Sequence, residues 1–297
     1  MNNPLLSIII VNWNTADITV NCLKSILTDK GLLDIPFEII LVDNASTDDS
    51  VKKVKQLQIK NLKLILNTEN LGFGKANNQG INIARGNYLL LLNTDTIILH
   101  SAISQSLNWL SSHPEAYGCT AQLLNKDKSI QPSGGYFPNI FNLTTLLLHL
   151  DDLPFVNQFV HPFHPHSPDF YTHDNYFQKD HSQDWVTGAF MLIRAEIIKK
   201  VSGFNEKFFM YGEEVEMCYR IHLQYPRLQL WYLVGPQIIH LGGASATNPS
   251  QVFTREYLGI QTFFQMYRPV YQQKIINLLI FINSILQKIL KFIRSHV

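Results

Sequence analysis

The chain has 297 residues, 46% hydrophobic and 16% charged, which supports a large core and excludes a disordered or low-complexity chain. Its 24 basic and 23 acidic residues nearly cancel, so there is no global field for binding nucleic acid. Cys22, Cys119 and Cys218 are odd in number and far apart, with no CxxC, which argues against a disulfide framework or structural zinc and fits a reducing compartment.

The leading MNNPLL has no basic region, so no signal peptide is expected. Leu5–Val11 then reads as a buried strand, and Ile18–Leu27 has helical spacing. Phe37–Val42 reads as a second strand. Ser46-Thr47-Asp48-Asp49 resembles a capping box and predicts a helix over 48–57. Leu62–Leu66 is a third strand, residues 75–85 a helix ending at Gly86, and Tyr88–Leu92 a fourth strand. Strands without polar alternation, separated by helices, imply an α/β fold with a mostly parallel sheet covered on both faces.

Ligands of such sheets sit beyond the carboxyl ends of the strands. Polar groups gather at those ends: Asn12 and Asn14, Asp43 and Asn44, Asn67 and Asn70, then Asn93 and Asp95. Each alone also fits ordinary turn chemistry.

Residues 132–182 are rich in Pro, Phe and His, including His161, His164, His166, His173 and His181. Histidine clusters bind metals, but no i,i+4 pair with a carboxylate partner is visible here, and an irregular lid over a cleft is expected. Trp185–Arg194 reads as a strand, Ala195–Val201 as a helix, 213–224 as a helix opened by Glu213-Glu214, and Leu228–Leu233 as a strand. His240 to Gly243 read as a loop. The tail, Gln272–His296, is an amphipathic helix too short in apolar run to span a bilayer. After Glu256 there is no acidic residue but there are Arg268, Lys274, Lys288, Lys291 and Arg294, leaving the first 256 residues at −4. That asymmetry suits a helix lying on a membrane surface, basic side out; packing on the body or on a second subunit is the alternative.

Several nucleotide sites are absent. No GxGxxG follows the first strand, no GxxxxGK[ST] exists, and no GxSxG elbow exists. The carboxylates at the strand ends remain. Placed there, they would hold a hard cation, Mg2+ or Mn2+, against a diphosphate.

Seven ordered segments then carry a resemblance: SIIIVNWNT (7–15), EIILVDNASTDDS (38–50), NLGFGKANNQGI (70–81), YLLLLNTD (88–95), DWVTGAFMLIR (184–194), GFNEKFFMYGEEVEMCYRI (203–221) and IIHLGGAS (238–245). Together they resemble a family 2 glycosyltransferase of the GT-A fold, in its rhamnosyltransferase-like branch. The resemblance implies residues 1–256 as the glycosyltransferase domain, with a nucleotide-binding half (1–100) and an acceptor-side half (101–256) that carries the lid over 132–182; the charge and spacing of the rest give a basic amphipathic helical tail over 257–297.

It also implies roles. Asn12, Asn14, Asp43, Asn70 and Asn93 would contact the donor nucleotide. Asp95, last of the DxD-type motif whose first position is here Asn93, would bind the metal, with His240. Glu214 would be the catalytic base, occupying the second place of a pair usually read Glu-Asp. Trp185, Gly188, Glu213 and Glu216 would lie on the acceptor side. Inversion needs one base for the acceptor hydroxyl, and a helix N-terminus would hold Glu214 ionised. Plainer readings stand beside these: Asp43 as a loop cap, Glu213 and Glu214 as first-turn acids, and His240 and Trp185 as core residues.

The expected function is metal-dependent transfer of a hexose, such as rhamnose, from a nucleoside-diphosphate sugar to a lipid-linked saccharide. It would serve bacterial surface polysaccharide synthesis at the inner face of the cytoplasmic membrane. The alternatives are a non-catalytic sugar-nucleotide-binding module, suggested by Asn93 and Glu214, and a sugar nucleotidyltransferase, which would want a glycine-rich loop after the first strand.

Overall fold

The computed structural model describes residues 4–150, 153, 156, 159–164, 176–242 and 249–294, with side chains in the last segment described for 254–289. In chain order the first elements are β1 (Leu6–Asn12), α1 (Ala16–Leu27), β2 (Phe37–Asp43), α2 (Ser50–Gln56), β3 (Leu62–Leu66), α3 (Phe73–Ile83), β4 (Tyr88–Asn93), β5 (Thr96–Ile98), α4 (Ala102–Ser112) and β6 (Ala116–Leu124). Then come β7 (Ile130–Gln131), α5 (Ile140–Leu147), β8 (His181–Gln183), β9 (Phe190–Arg194), α6 (Ala195–Lys200), α7 (Glu213–Gln224), β10 (Gln229–His240), α8 (Pro249–Tyr267) and α9 (Val270–Arg294).

The sheet runs β3-β2-β1-β4-β9-β6-β10-β5. Its first four strands are parallel, with Asn12 beside Asp43 and Val11 beside Asn93 at their carboxyl ends. β9 enters antiparallel to β4 and β6, and β10 runs parallel to β6. This is the expected α/β architecture of a GT-A fold.

Strand side chains alternate between two cores. Ile9, Ile40, Val42, Leu89 and Leu91 pack with α3 and α7, while Ile8, Ile10, Ile39, Leu41, Leu90 and Leu92 pack with α1 and α4. Burial on both faces is why these strands read as unbroken apolar runs. α3 lies directly on β1: a Cβ on Gly80 would come within 2.5 Å of Ile9 Cγ2.

Some expectations are corrected. The capping box does not form; α2 starts at Ser50 with no side-chain bond from Asp49, and Asp48 instead accepts from the N–H groups of Ser50 and Ala16 at 3.0 Å. The strand over 185–194 shortens to β9, because Gly188-Ala189 forms a turn and Trp185 makes an isolated bridge to Gly135. The last strand is longer than expected, continuing past a bulge at Gly235-Pro236 to His240. Inside the irregular 132–182 segment, α5 carries a true capping box between Asn139 and Asn142.

The described histidines there separate onto different aromatic partners. His161 faces Tyr136, His164 faces Trp185, and His181 stacks on Tyr232. His166 and His173 lie outside the described residues, as do residues 243–245 of the last resemblance segment.

The tail is a helical pair, and α8 crosses position 257 without a break. α9 buries Ile276, Leu279 and Asn283 against the body, while Leu278, Phe281, Ile285 and Ile289 are 58, 61, 41 and 50% exposed. So α9 has two apolar faces rather than the single apolar and single basic side expected. Among the described residues, no helix is long and apolar enough to cross a membrane.

Candidate active site

The site is built at the carboxyl ends of the parallel strands. Asn12, fully buried, donates to Asp43 Oδ1 at 2.6 Å and Ser46 Oγ at 2.9 Å, and accepts from Thr15 and Thr19, each at 2.7 Å. Asp43 accepts from the Ser46 N–H at 3.0 Å. Asn14, at φ +53°, accepts from the Thr47 N–H at 2.7 Å. These three residues clamp the β1 and β2 loops together. They lie behind the cleft, whose wall here is formed by Trp13 and Asn44. Asn44 in turn donates to Asn70 Oδ1 at 2.8 Å and accepts from the Leu71 N–H at 3.0 Å, which fixes the loop after β3.

Asn93 ends β4, and Thr94 and Asp95 follow it. The antiparallel pairing of Thr96 with His240 and the Leu241 N–H to Asp95 carbonyl bond at 2.9 Å bring Asp95 beside His240. His240 Nε2 lies 3.3 Å from Asp95 Oδ1, and Nδ1 lies 2.6 Å from Gln131 Oε1. Gln131 Nε2 donates to Asn125 Oδ1 and the His240 carbonyl, so its oxygen accepts and His240 Nδ1 carries the proton. In the neutral ring, Nε2 then turns a lone pair toward a carboxylate oxygen. Two acceptors facing each other suit a proton or a metal ion between them, with Gln131 setting the tautomer as a partner of a ligating histidine does. Asp95 and His240 would therefore fit a divalent cation, whose further ligands would have to come from outside this pair. Among the described residues, no group of three His, Cys, Asp or Glu could hold one alone.

Across the cleft, Tyr211 (φ +73°) and Gly212 (φ +94°) turn the chain sharply into α7. Glu213 and Glu214 follow at its first turn. Glu214 Oε1 accepts from the Gly188 N–H at 3.1 Å. A side chain at 188 would displace its neighbours: a Cβ would meet Phe73 Cζ at 2.8 Å and Glu214 Oε1 at 3.0 Å. Glu213 is 1% exposed, and among the described residues its Oε2 has no hydrogen-bond partner. Burial pushes both carboxyls up, Glu213 well above its ordinary range with the Glu214 charge adding to the effect. For Glu214 burial outweighs the backbone N–H bonds that favour its charge, so the expected ionising influence of the helix start is not dominant.

Trp185, 6% exposed, donates from Nε1 to the carbonyls of Phe163 and Tyr136 and lines the cleft beside Phe163. Glu216 turns away from the cleft. Its carboxylate pairs with Arg220 at 2.8 Å and accepts from the Tyr267 hydroxyl at 2.6 Å.

One cavity of about 800 Å³ joins these parts. Asn70, Asn93, Asp95, Trp185, Gly188, Glu213, Glu214 and His240 all line it, so Asp95 and Glu214 open onto the same space. Its far wall comes from α5, α8 and α9, through Leu146, Tyr257, Ile260 and Asn283. Sequence reasoning missed Gln131, Trp13, Arg255 and Tyr257. Gln131 sits on a two-residue strand; Arg255 precedes the tail expected over 257–297, and Tyr257 stands at its first position, read as tail and not as cleft wall.

Comparison with known proteins bears on the family and the fold. The model described as "Glycosyl transferase family 2" matches residues 7–202. An N-acetylglucosaminyl-diphospho-decaprenol L-rhamnosyltransferase of Mycobacterium tuberculosis is 25% identical over 199 residues, 63% of this chain and 61% of that protein. The rhamnosyltransferase WbbL of Escherichia coli K12 is 24% identical over 166 residues, 53% of this chain and 56% of that protein. The chain thus spans about three fifths of the curated relatives it matches.

Among solved structures, a Pyrobaculum calidifontis mannosyltransferase in complex with GDP-Man and Mn2+ superposes with a TM-score of 0.55 at 15% identity, covering 93% of this chain and 69% of that one. GalNAc-T7 with UDP, GalNAc and Mn2+ superposes with a TM-score of 0.57 at 15% identity, covering 80% of this chain and 43% of that one. At such identity the likeness shows the fold. The family match covers well over half of the residues, and this chain belongs to glycosyl transferase family 2.

Proposed function

We propose that this protein is an inverting glycosyltransferase that moves a hexose, rhamnose in the first instance, from a nucleoside-diphosphate sugar to a lipid-linked saccharide. One observation carries the reading: Asp95 and Glu214 open onto a single cavity but sit in different surroundings. Asp95 stands beside His240 in a pair suited to a cation. Glu214 is held by Gly188 with its carboxyl pushed up by burial, which strengthens it as a proton acceptor. The rhamnosyltransferase relatives support the sugar, and the decaprenol-linked substrate named for the mycobacterial relative supports the acceptor.

In this account Asn44 and Asn70 hold the nucleotide end, with Asn12, Asn14 and Asp43 bracing their loops. Asp95 and His240 would hold Mg2+ or Mn2+, which would supply positive charge against the leaving diphosphate. Glu214 accepts the acceptor hydroxyl's proton as that oxygen attacks the anomeric carbon from the opposite face. Trp185 and Gly188 shape the acceptor side, while Glu216 braces α7. The α9 stripe of Leu278, Phe281, Ile285 and Ile289, flanked by exposed Lys274 and Lys288, rests on the anionic inner face of the cytoplasmic membrane, where a lipid-linked acceptor lies.

The test is turnover. Protein, dTDP-rhamnose or another nucleoside-diphosphate sugar, Mg2+ or Mn2+, and vesicles carrying a prenyl-diphosphate saccharide should release nucleoside diphosphate and form an inverted linkage. Pyrophosphate release from a nucleoside triphosphate and a sugar phosphate would instead identify a nucleotidyltransferase. Tight donor binding with no turnover would identify a binding module. For the membrane contact, Leu278→Ser with Phe281→Ser should shift the protein from anionic vesicles to the supernatant; unchanged sedimentation would count against it.

A further inference from the structure

Arg255 on α8 lines the cleft, and it differs from the other arginines that the fold uses. Arg194 donates to the carbonyls of Ala116, Leu110 and His113. Arg220 is taken by Glu216 and the carbonyls of Val201 and Gly203. Arg268 donates to Tyr219 and the Pro138 carbonyl. Among the described residues, Arg255 has only soft partners. Its guanidinium lies 5.1 Å from the centroid of the Phe209 ring, and Nη1 lies 3.7 Å from Met210 Sδ. Among the described residues, no carboxylate forms an ion pair with it.

A guanidinium resting on a ring uses its face there and keeps its in-plane N–H donors for another ligand. Five donors facing a thioether and a ring are under-used in a cavity wall. The fork geometry matches a phosphate better than any other group a glycosyl-transfer substrate carries.

We propose that Arg255 is a diphosphate-binding side chain of this cleft, a role that rests on the glycosyl-transfer reading above and deepens it. Two diphosphates are candidates. The donor's would lie on the side of the Asn70 loop, which is tied to Phe209, the ring under Arg255, by the 2.9 Å bond from the Phe73 N–H to the Phe209 carbonyl. The acceptor's would come along α8, whose Tyr257 and Ile260 form the far wall. In both cases the guanidinium offers two parallel N–H donors to phosphate oxygens, and nothing covalent changes.

The experiment reads binding and does not need turnover. Wild type, Arg255→Gln and Arg255→Lys are compared by calorimetry with dTDP or UDP plus Mn2+, and by co-sedimentation with vesicles containing or lacking prenyl diphosphate. The expected result is at least a tenfold loss of affinity in Arg255→Gln for one of the two diphosphates, with the other within twofold and with partial recovery in Arg255→Lys. The arm that moves names the source. Affinities within twofold in both arms would overturn the proposal, as would loss in both in step with a lowered melting temperature. Turnover of the wild type is measured separately, so its absence would count against glycosyl transfer and not against this site.

Discussion

Glu214 and Gly188 are joined by a 3.1 Å hydrogen bond from the Gly188 N–H to the Glu214 carboxylate. That bond ties the first turn of α7 to the turn before β9, the two elements that frame the acceptor side. Gly188→Ala would force a Cβ to within 3.0 Å of Glu214 Oε1 and 2.8 Å of Phe73. The expected outcome is a loss of transfer on the order of 100-fold, since small displacements of a reacting group carry that cost. The melting temperature should move only a few degrees. Steady-state kinetics beside thermal denaturation checks it, and unchanged kcat would show that the contact does not position the carboxylate.

The pH profile follows from the same pair. Burial raises Glu214 above its ordinary value of 4.5, and only the charged form accepts a proton. Activity should therefore be full at higher pH and fall on acidification through the raised value. The acid limb of kcat/KM is expected clearly above pH 4.5, and a limb at or below that value would contradict the burial argument.

Glu213 makes a stability prediction. Its folded-state affinity for a proton exceeds that of the unfolded chain, so its charge opposes folding at neutral pH and that opposition fades as pH drops through the folded value. Glu213→Gln removes the charge. The variant should be more stable at pH 7 by on the order of 1 kcal/mol, a rise of about 2–4 °C, with a flatter dependence of stability on pH. A melting temperature lowered at pH 7 would show that the charge has a stabilising partner.

The parallel half of the sheet was legible because its strands are buried on both faces and read as runs such as LSIIIV, with polar residues where each run stops. β6 was not. Its AYGCTAQLL is buried at every position, yet Thr120 and Gln122 bond the carbonyls of Phe190 and Phe177, so polar residues hide a central strand. α4 was hidden for a related reason: it starts after Ser101 in the left-handed region with no side-chain cap to announce it. The strand expected over 185–194 failed at Gly188, where the backbone serves Glu214 instead of a neighbouring strand. The cleft residues Asn70, Asp95, Glu214 and His240 were visible as motifs. Their supports were not: Ser46, which holds Asn12 and Asn14 across 34 and 32 positions, and Gln131, which holds His240 across 109, become meaningful only through those contacts.

Gln131 yields a further prediction. Gln131→Leu removes the acceptor that keeps the His240 proton on Nδ1. Manganese affinity, read by calorimetry in the presence of nucleoside diphosphate, should fall about 10–100-fold, with nucleotide binding in the absence of metal unchanged. Equal metal affinity in the variant would separate His240 from the cation.

The most direct test of the account sets Asp95→Ala against Glu214→Gln in one assay that follows metal-dependent nucleoside diphosphate binding and sugar transfer together. Glu214→Gln should still bind nucleoside diphosphate with Mn2+ and lose transfer by about 100-fold or more, as removal of a base requires. Asp95→Ala should lose both. Wild-type transfer rates in the two variants would contradict the division of labour between these carboxylates.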